Sequence, residues 1–485
     1  MVIARKIAYN VAVSSVSKIL STALALVSIG LITRYLGKEG FGNYATVLAF
    51  LSFFSAIADL GLYSAATREI SRSGADENKI MGNVFPLRLA LSFAVLFLSP
   101  AIVLFFPYPT EVKQAIIIVA ISFLFSSSYQ ILNGVFQKNL AMDKVAVTEF
   151  AGKIIQVAVI FLAIRFDLGF LWIISSLLFF MIFNFVFIWA WSKKYIFFKM
   201  RFDFGYWKRF IRESYPIGIS VFITFIYFKI DTILLSVMKG SSDVGIYSAA
   251  YKIIENITFF PAMIIGLIFP IMSRTIFSDK GRFRDISDKT YKVFWVIIVP
   301  LVIGTLFLSD GIILIIGGAE FFESGAVLRI LIFALAFIFF GNFSNAILIA
   351  GNKQKKMLLV AAVAAVLNVG ANLIFIPRYS YFGAAMVSFL TEMVVVIGAF
   401  YFIFREIKYF PRIEKFYRLL ASGAAMAIFF YLFRGANFFL LGASGLAVYI
   451  AALWIFRAVK TEEITSIIGK KTVEADMTNQ DPLGQ

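Results

Sequence analysis

The sequence predicts an all-α, polytopic membrane protein of about fourteen transmembrane helices, arranged as two lobes of six helices with two extra helices at the C-terminal end. Three observations predict this fold class. Of the 485 residues, 61% are hydrophobic and only 15% are charged. The apolar residues form runs of about 20, the length that a helix needs to cross the bilayer core. The lysines and arginines between the runs fall overwhelmingly on alternate sides.

The first six runs form the predicted N-lobe, residues 1-192. They are residues 11-33, 41-63, 84-106, 114-136, 146-165 and 168-192. Because the hydrocarbon offers the backbone no water, each run must satisfy its hydrogen bonds internally as a helix. The first run is too long for the apolar part of a cleavable signal peptide, so we expect it to remain as a span.

A cytoplasmic linker, residues 193-212, separates the N-lobe from the predicted C-lobe at residues 213-404. The apolar runs of the C-lobe are 213-236, 244-268, 291-310, 325-349, 357-377 and 382-404. Two further runs, 416-434 and 438-456, lie within residues 405-456. Residues 457-485 are polar and form a predicted disordered tail in the cytoplasm.

Short similarities between the lobes indicate an internal repeat. Phe41-Gly42-Asn43-Tyr44 begins the second run, and Val244-Gly245-Ile246-Tyr247 begins the eighth, 203 residues later. Leu168-Gly169-Phe170 begins the sixth run, and Phe382-Gly383-Ala384 begins the twelfth, 214 residues later. Since six spans is an even number, both lobes start from the same side, related by an axis normal to the bilayer. The alternative is that Gly-x-Tyr is merely a common interfacial anchor.

The distribution of positive charge predicts the orientation. With the N-terminus inside, 32 of the 45 lysines and arginines lie in cytoplasmic loops, 7 in outside loops and 6 within spans. Short cytoplasmic loops retain positive residues, and a missed span would reverse the sign for every later loop. We therefore expect a multi-pass protein of the plasma or inner membrane with both termini in the cytoplasm.

Composition excludes several functional classes. With no Cys and no His, the chain has no thiolate, disulfide or imidazole for catalysis or metal binding. The net charge of +17 lies mainly in cytoplasmic loops beside anionic lipids, so nucleic-acid binding is not expected. No ATP-type phosphate-binding loop is present. We predict a protein that is not an enzyme and uses no cofactor or metal.

Charged residues inside the spans are the candidate functional residues, since each costs about 2.5 to 3.5 kcal/mol on insertion scales. The cations are candidates for binding an anionic substrate: Lys18, Arg88, Lys153, Lys252 and Arg329, with Lys229 as a sixth intramembrane cation. The acids are candidates for ion coupling or for charge pairing: Asp59, Glu149, Asp231, Glu255 and Glu392.

Some of these charges have a structural explanation. Glu149 and Lys153 are four residues apart on one helix, and Lys252 and Glu255 are three apart, so each couple can neutralise itself locally. Lys229 is two residues from Asp231, on a different face, and needs another partner or reaches an interface through its long side chain.

Arg88 and Asp59 both lie near the cytoplasmic ends of their spans. Arg88 there fits a topology-determining charge, and Asp59 fits a residue at the rim.

Lys18 has no acid on its own helix within reach. We expect its countercharge to be Asp59 or Glu392 across the bundle, or an anionic ligand. Arg329 also has no acid within four residues. Glu323, six residues earlier, offers it a structural partner at the outer rim. Because cations outnumber acids, the cavity between the lobes should prefer an anion.

The intramembrane cations lie at different depths. By the helical rise of about 1.5 Å per residue, Lys18 and Arg88 lie with Asp59 in the inner half of the bilayer. Lys229, Lys252 and Arg329 lie in the outer half. As a hypothesis, an anionic group is passed along this ladder while the lobes rock between inward-open and outward-open states. Such motion would use the helix breakers Pro216, Gly218, Pro261, Gly266 and Pro270, which ordinary helix packing explains equally well.

The first loop resembles that of the polysaccharide-biosynthesis flippases. The resemblance runs from Ile32 to Tyr44, in the stretch Thr33-Arg34-Tyr35-Leu36-Gly37-Lys38-Glu39-Gly40-Phe41-Gly42, and continues in Asp59-Leu60-Gly61-Leu62 and Thr67-Arg68-Glu69. This family belongs to the superfamily of multidrug and toxin extrusion transporters and lipid II flippases, whose fourteen-span, two-lobe architecture is similar to the prediction made from the charge and hydropathy patterns.

The resemblance implies a polyprenyl-diphosphate-linked oligosaccharide as substrate, turned from the inner to the outer leaflet. It also implies membrane lipids, and polysaccharide polymerases or glycosyltransferases, as partners. A diphosphate is anionic and sugars are hydrophilic, so a wet, cationic path suits both, with the lipid tail left outside between the lobes. The sequence leaves open whether the membrane potential, protons or sodium drive transport.

Two other functions compete with this one. A cation-coupled multidrug exporter would need acids as the main unpaired charges of its cavity, whereas cations are in excess here. A membrane-embedded enzyme or assembly scaffold would need a nucleophile and a base in its polar loops, and no such pair is apparent.

Overall fold

The apolar runs fold as helices throughout the computed structural model, which describes residues 2–459 apart from the side chains of residues 2–8 and of Val11. Within this part of the chain there are α-helices, one 3-10 helix and one π-helix, and no strand. The all-α membrane fold predicted from composition and hydropathy is therefore confirmed. Of the predicted tail, residues 460–485 lie outside the described part of the chain.

Six helices correspond to the predicted N-lobe. They are α1 (Val2–Asp59), α2 (Leu62–Ile70), α3 (Glu77–Val103), α4 (Thr110–Lys138), α5 (Met142–Arg165) and α6 (Phe170–Ser192). The helix α1 contains the first two predicted spans, joined at Gly37, whose positive φ of 66° breaks the helical path.

Helices α7 to α12 correspond to the predicted C-lobe. They are α7 (Phe204–Met238), α8 (Ser241–Ile257), α9 (Phe259–Ser278), α10 (Lys280–Gly317), α11 (Ser324–Ala350) and α12 (Gln354–Phe402). A 3-10 helix (Ala319–Phe321) precedes α11, and a π-helix (Ile403–Ile407) follows α12. The helices α13 (Phe416–Leu432) and α14 (Phe438–Ile455) complete the chain.

Eleven helices of the described residues are long and apolar enough to cross a membrane. Two of these contain a break where two predicted spans meet, at Gly37 in α1 and at Ser380 in α12. The shorter apolar helix α13 is not among the eleven. The number fourteen stays a prediction, as does the division into lobes.

Several helices extend beyond the predicted apolar runs because polar caps and charge pairs continue them. The helix α7 begins at Phe204, inside the predicted linker, where the Asp203 carboxylate accepts the Tyr206 N–H at 3.0 Å. The helix α10 begins at Lys280, ahead of residue 291, and its polar first turns include a Lys289–Asp285 pair at 2.7 Å. Hydropathy cannot detect such helical ends.

The second predicted span, 41-63, ends earlier than expected. The helix α1 stops at Asp59, and positive φ angles at Leu60 and Gly61 turn the chain into the short helix α2. The Asp59 carboxylate accepts the Gly61 N–H at 3.1 Å, which holds the turn. Asp59 thus lies at the C-terminal end of a helix.

Burial follows the predicted repeat. In α4, 67% of the most apolar stretch is buried, and in α11 61%, against at most 39% in the other long helices. They contain the fourth and tenth spans, which the predicted repeat makes equivalent positions. The repeat itself stays a prediction.

Candidate functional site

Two cavities lie along the contact between α1–α6 and α7–α12, and a third adjoins them within α7–α12. We call the three together the central chamber. Their volumes are about 500 Å³ for the cationic cavity, 520 Å³ for the middle cavity and 490 Å³ for the amide cavity. Thr258, at the junction of α8 and α9, lines all three, and Glu255 lines the first two. The three cavities therefore adjoin one another.

The cationic cavity collects lysines from three helices. Lys18 of α1, Lys153 of α5 and Lys252 of α8 all line it, together with Glu149 and Glu255. Three of the five predicted substrate-binding cations are thus brought together. Their role in binding stays a prediction.

The predicted local pair of Glu149 and Lys153 is not formed. The Lys153 ammonium instead donates to Gln156 Oε1 at 2.8 Å and lies 5.8 Å from the centre of the Phe180 ring. Since the ammonium is bonded to Gln156 and not to Glu149, the local-neutralisation explanation was wrong for this couple. Lys153 makes no ion pair with any described residue.

Lys18 also makes no ion pair within the described part of the chain. It is exposed to the cavity, with its ammonium 5.7 Å from the centre of the Phe259 ring. Neither protein partner predicted for it is at hand, because Asp59 is paired with Arg88 and Glu392 lines the amide cavity. Lys18 and Lys153 are the intramembrane cations that face the chamber without an ion pair among described residues.

The second predicted local pair, Lys252 with Glu255, is confirmed at 2.7 Å. Glu255 also accepts a bond from Lys229 at 2.5 Å, so one carboxylate bridges two lysines. The Lys229 ammonium lies 4.9 Å from the centre of the Tyr251 ring. Lys229 has thus found a protein partner and does not depend on reaching an interface.

Arg88 has no acid close to it on its own helix, and the structure pairs it with Asp59 at the end of α1. Its guanidinium donates to Asp59 Oδ1 at 2.6 Å and to the Ala58 carbonyl at 3.3 Å, and its side chain is only 2% exposed. The end of α1 supplies both acceptors, where the helix dipole favours a cation. Both residues line the middle cavity, but the pair is 29 positions apart and invisible to local spacing.

Arg329 lies away from the chamber and is paired with Asp310 of α10. Its predicted partner Glu323 was wrong, because α10 and α11 pack side by side and bring Asp310 to the guanidinium. Arg329 lines none of the chamber's three cavities. A place for it on a continuous ladder of cations has no support in this arrangement.

Asp231 is buried in a hydrogen-bonded network outside the chamber lining. Its carboxylate accepts from the Tyr247 hydroxyl, from the Ser388 hydroxyl at 3.0 Å and from the Thr232 N–H at 2.7 Å. These donors compensate the burial of the charge. Asp231 forms no ion pair with a described residue.

The amide cavity contains residues that sequence reasoning missed. Asn342 and Asn345 of α11 line it with Glu392 of α12 and Tyr227 of α7. The two asparagines are three residues apart and so lie on the same face of the helix. Two amides on one face of an otherwise apolar run indicate a polar surface there. Uncharged amides cost less to insert into a bilayer than charges do, so a charge pattern does not single them out.

An apolar cavity of about 540 Å³ lies outside the chamber, beside the two C-terminal helices. It is lined by side chains of α10, α13 and α14, among them Pro300, Met426 and Leu446. Its only polar side-chain group is the Tyr449 hydroxyl, which donates to the Val296 carbonyl at 3.0 Å. This cavity suits hydrocarbon.

Two close contacts between helix backbones flank the chamber. At the predicted outer end, a Cβ added to Gly42 would lie 1.7 Å from the Ser241 carbonyl oxygen, and one added to Gly245 would lie 1.9 Å from the Lys38 carbonyl oxygen. These are the glycines of the two repeated motifs, which therefore meet across the interface. Beside them, the Ser241 hydroxyl donates to Asn43 at 2.7 Å.

At the predicted inner end, Gly61 meets Gly218 of α7. A Cβ on Gly61 would lie 2.7 Å from the Gly218 nitrogen, and one on Gly218 would lie 2.6 Å from the Leu60 carbonyl carbon. Gly218, noted as a helix breaker, is thus a point of close backbone approach. Between the two contacts, α1 lines the cationic and middle cavities with residues from Tyr44 to Asp59.

Comparison with known proteins gives the following matches. Residues 7–276, more than half of the chain, match the family described as polysaccharide biosynthesis protein, and residues 216–374 match the family described as MatE. The chain is 25% identical over 293 residues to the capsular polysaccharide biosynthesis protein CapF of Staphylococcus aureus, covering 59% of this chain and 74% of CapF.

A second relative and a solved structure cover more of the chain. It is 24% identical over 403 residues to Agl15 of Haloferax volcanii, named a probable low-salt glycan biosynthesis flippase, covering 80% of this chain and 81% of Agl15. The structure described as lipid II flippase MurJ, inward closed conformation, superposes with a TM-score of 0.75 at 19% identity, covering 92% of this chain and 98% of MurJ. At this identity the match shows a shared fold.

Proposed function

The chain belongs to the polysaccharide biosynthesis protein family, and we propose that it is a flippase for a polyprenyl-diphosphate-linked oligosaccharide in cell-surface polysaccharide synthesis. It moves this substrate from the inner to the outer leaflet and is a transporter, not an enzyme. The naming of Agl15 as a glycan biosynthesis flippase supports the proposal. The observation that carries it is the convergence of Lys18, Lys153 and Lys252 on one cavity.

The cationic cavity binds the diphosphate. Lys18 and Lys153 face it without carboxylate partners among the described residues, and Lys252 shares Glu255 with Lys229. Unpaired cations inside a bilayer raise the free energy of the protein, so the binding of an anion that compensates their charge is favourable. Charge-assisted hydrogen bonds from lysine to phosphate are also stronger than those between neutral groups.

The lipid tail stays in an apolar environment throughout. The apolar cavity beside α10, α13 and α14 offers it a place next to the bundle. Keeping the tail out of the polar chamber avoids exposing hydrocarbon to water at about 25 cal/mol per Å² of apolar surface.

Alternating access moves the headgroup across. The glycine contacts at Gly42–Gly245 and Gly61–Gly218 act as the two gates, and opening one or the other connects the chamber to one side of the membrane. An inside-negative potential favours export of the anionic headgroup by about 2.3 kcal/mol per charge per 100 mV. The protein works in the plasma or inner membrane with its termini in the cytoplasm, beside polysaccharide polymerases or glycosyltransferases.

Ion coupling is the open part of the mechanism. Asp59 and Glu255 are already in ion pairs, and Asp231 is held by three hydrogen-bond donors. Glu149 and Glu392 make no ion pair with a described residue, which makes these two the remaining candidates for a coupling proton or sodium ion.

A cation-coupled multidrug exporter is the second candidate function, favoured by the MatE match of residues 216–374. Such a protein would bind cationic drugs, and a cavity in which three lysines outnumber two glutamates disfavours them. The flippase function therefore agrees better with the site.

Depletion of the protein in its host cells tests the proposal. We expect a lipid-linked oligosaccharide to accumulate on the cytoplasmic leaflet, measured by mass spectrometry of extracted lipids with a membrane-impermeant glycosidase to assign the leaflet. Unchanged lipid-linked glycans together with increased retention of a cationic dye would favour the exporter instead.

A further inference from the structure

The amide cavity differs chemically from the cationic cavity beside it. This cavity of about 490 Å³ is lined by no lysine or arginine. Its one acidic residue is Glu392. The polar side chains are otherwise neutral hydroxyls and amides: Ser220, Thr224, Tyr227, Thr258, Asn342, Asn345 and Gln354. The central chamber is thus divided into a charged part and a largely neutral polar part.

Several of these polar groups have unused hydrogen-bonding capacity. Asn342 donates one N–H to the Ile338 carbonyl at 2.9 Å and keeps its carbonyl oxygen free for other donors. The side chains of Asn345, Tyr227 and Glu392 make no hydrogen bond to another described residue. Glu392 is only 6% exposed, and this small exposed part faces the cavity. The polar atoms of these side chains are open to the cavity, so water or a ligand that enters it can satisfy them.

The size and chemistry of the cavity favour a sugar over an ion. Pockets of about 300 to 1,000 Å³ hold small organic ligands, whereas a metal ion needs several oxygens converging within about 2.6 Å. The described residues contain no group of three or more acidic side chains that could hold a metal ion. Amides and hydroxyls both donate and accept, as the hydroxyls of a sugar require. The neighbouring Tyr227 and Phe228 rings add an apolar surface for a sugar face.

The position of the cavity fits a substrate with two unlike parts. Thr258 lines the cationic, middle and amide cavities, so a headgroup can extend from one part to the next without leaving the chamber. We propose that the amide cavity binds the glycan of the lipid-linked substrate, and that Asn342, Asn345 and Glu392 determine which glycan is accepted. This inference rests on the flippase function proposed above.

A binding experiment with two lipids separates the two proposals. The purified full chain in lipid nanodiscs is titrated with unglycosylated polyprenyl diphosphate and with the polyprenyl-diphosphate-linked glycans extracted from the host cells. The measured quantity is the glycan preference, the ratio of the two affinities. For the wild type we expect both lipids to bind and the glycosylated lipid to bind more tightly.

The variants are Asn342→Ala/Asn345→Ala, the two single substitutions and Glu392→Gln. We expect the double variant to lose about tenfold in glycan preference, since two neutral hydrogen bonds are removed, while it binds the unglycosylated diphosphate normally. Gln114→Ala, an exposed amide of α4 outside the four cavities described, is the matched control and should keep the preference.

Each outcome has a distinct meaning. A wild type that binds neither lipid overturns the flippase proposal. Equal binding of the two lipids by the wild type overturns the proposal that the amide cavity binds the glycan. An unchanged preference in the double variant does the same. Both results leave the proposal of diphosphate binding intact. If the double variant binds no lipid, the single substitutions decide by the same criterion. A Glu392→Gln variant that alters only sodium or pH dependence removes Glu392 from glycan selection.

Discussion

The intramembrane cations fall into two groups. Arg88, Lys229, Lys252 and Arg329 each have a carboxylate partner, whereas Lys18 and Lys153 have none among the described residues. A paired cation is already compensated and contributes mainly to structure. An unpaired cation attracts whatever anion enters the cavity. The two groups therefore respond differently to mutation.

Removal of the Lys18 ammonium should abolish transport without loss of the fold. We expect Lys18→Ala to lower flipping of a lipid-linked oligosaccharide in proteoliposomes by tenfold or more, because a charge-assisted contact to phosphate is worth about 1.5 to 3 kcal/mol. Lys18→Arg should keep part of the activity. Lys289→Ala, which breaks an exposed pair, is the control expected to transport normally. Full activity of Lys18→Ala would remove this lysine from the mechanism.

The Arg88–Asp59 pair should matter for stability. Replacing Arg88 by Met removes a side chain that is only 2% exposed and leaves the Asp59 carboxylate without its cation. Breaking a buried pair in this way costs about 3 to 5 kcal/mol of stability. We expect a clear drop in the thermal unfolding temperature in detergent. The double variant Arg88→Met/Asp59→Asn should recover much of the loss. Equal stability of Arg88→Met and the wild type would contradict this assignment.

At the scale of helices, backbone contact between α1 and α8 depends on two glycines. No side chain fits at Gly42 or Gly245, because any Cβ would overlap a carbonyl oxygen of the opposite helix. The repeated motif identified in the sequence thus has a packing reason beyond anchoring at the interface. The same logic applies to Gly61 and Gly218 at the other end of the chamber.

A side chain at Gly42 should therefore hold the predicted outer gate open. The chain has no native cysteine, so Asn43→Cys and Ser241→Cys, whose side chains touch at 2.7 Å, can report closure by disulfide formation. We expect efficient cross-linking in the wild-type background and little with Gly42→Val. Gly435→Val, at a site with no atom within 4 Å, is the control. Equal cross-linking with Gly42→Val would show that this contact is not a gate.

For the whole molecule, the driving force should be readable from the response to voltage. An anionic headgroup moving outward is favoured by an inside-negative potential. In proteoliposomes, valinomycin converts a potassium gradient into a membrane potential, and the gradient is chosen to make the inside negative. We expect valinomycin to raise the initial flipping rate. Equal potassium on both sides is the control. A rate that ignores the potential but follows a sodium or proton gradient would indicate ion coupling through an acid such as Glu149 or Glu392.

Prediction from sequence succeeded where the signal is local. Hydropathy marks apolar helices because crossing hydrocarbon depends on consecutive residues, and the class of fold followed from it. The Lys252–Glu255 pair also followed from spacing on one helix. The break at Gly37 and the early end of α1 at Asp59 were less accessible, because turn geometry decided them.

The all-α membrane fold, the family resemblance and the set of intramembrane charges follow from the order of residues alone. Which charges meet depends on how the helices pack, because partners such as Arg88 and Asp59, or Arg329 and Asp310, lie on different helices. Which faces of two helices come together depends on packing across the whole bundle. The same packing left Lys18 without a described ion-pair partner and placed the asparagines of α11 around a cavity beside it.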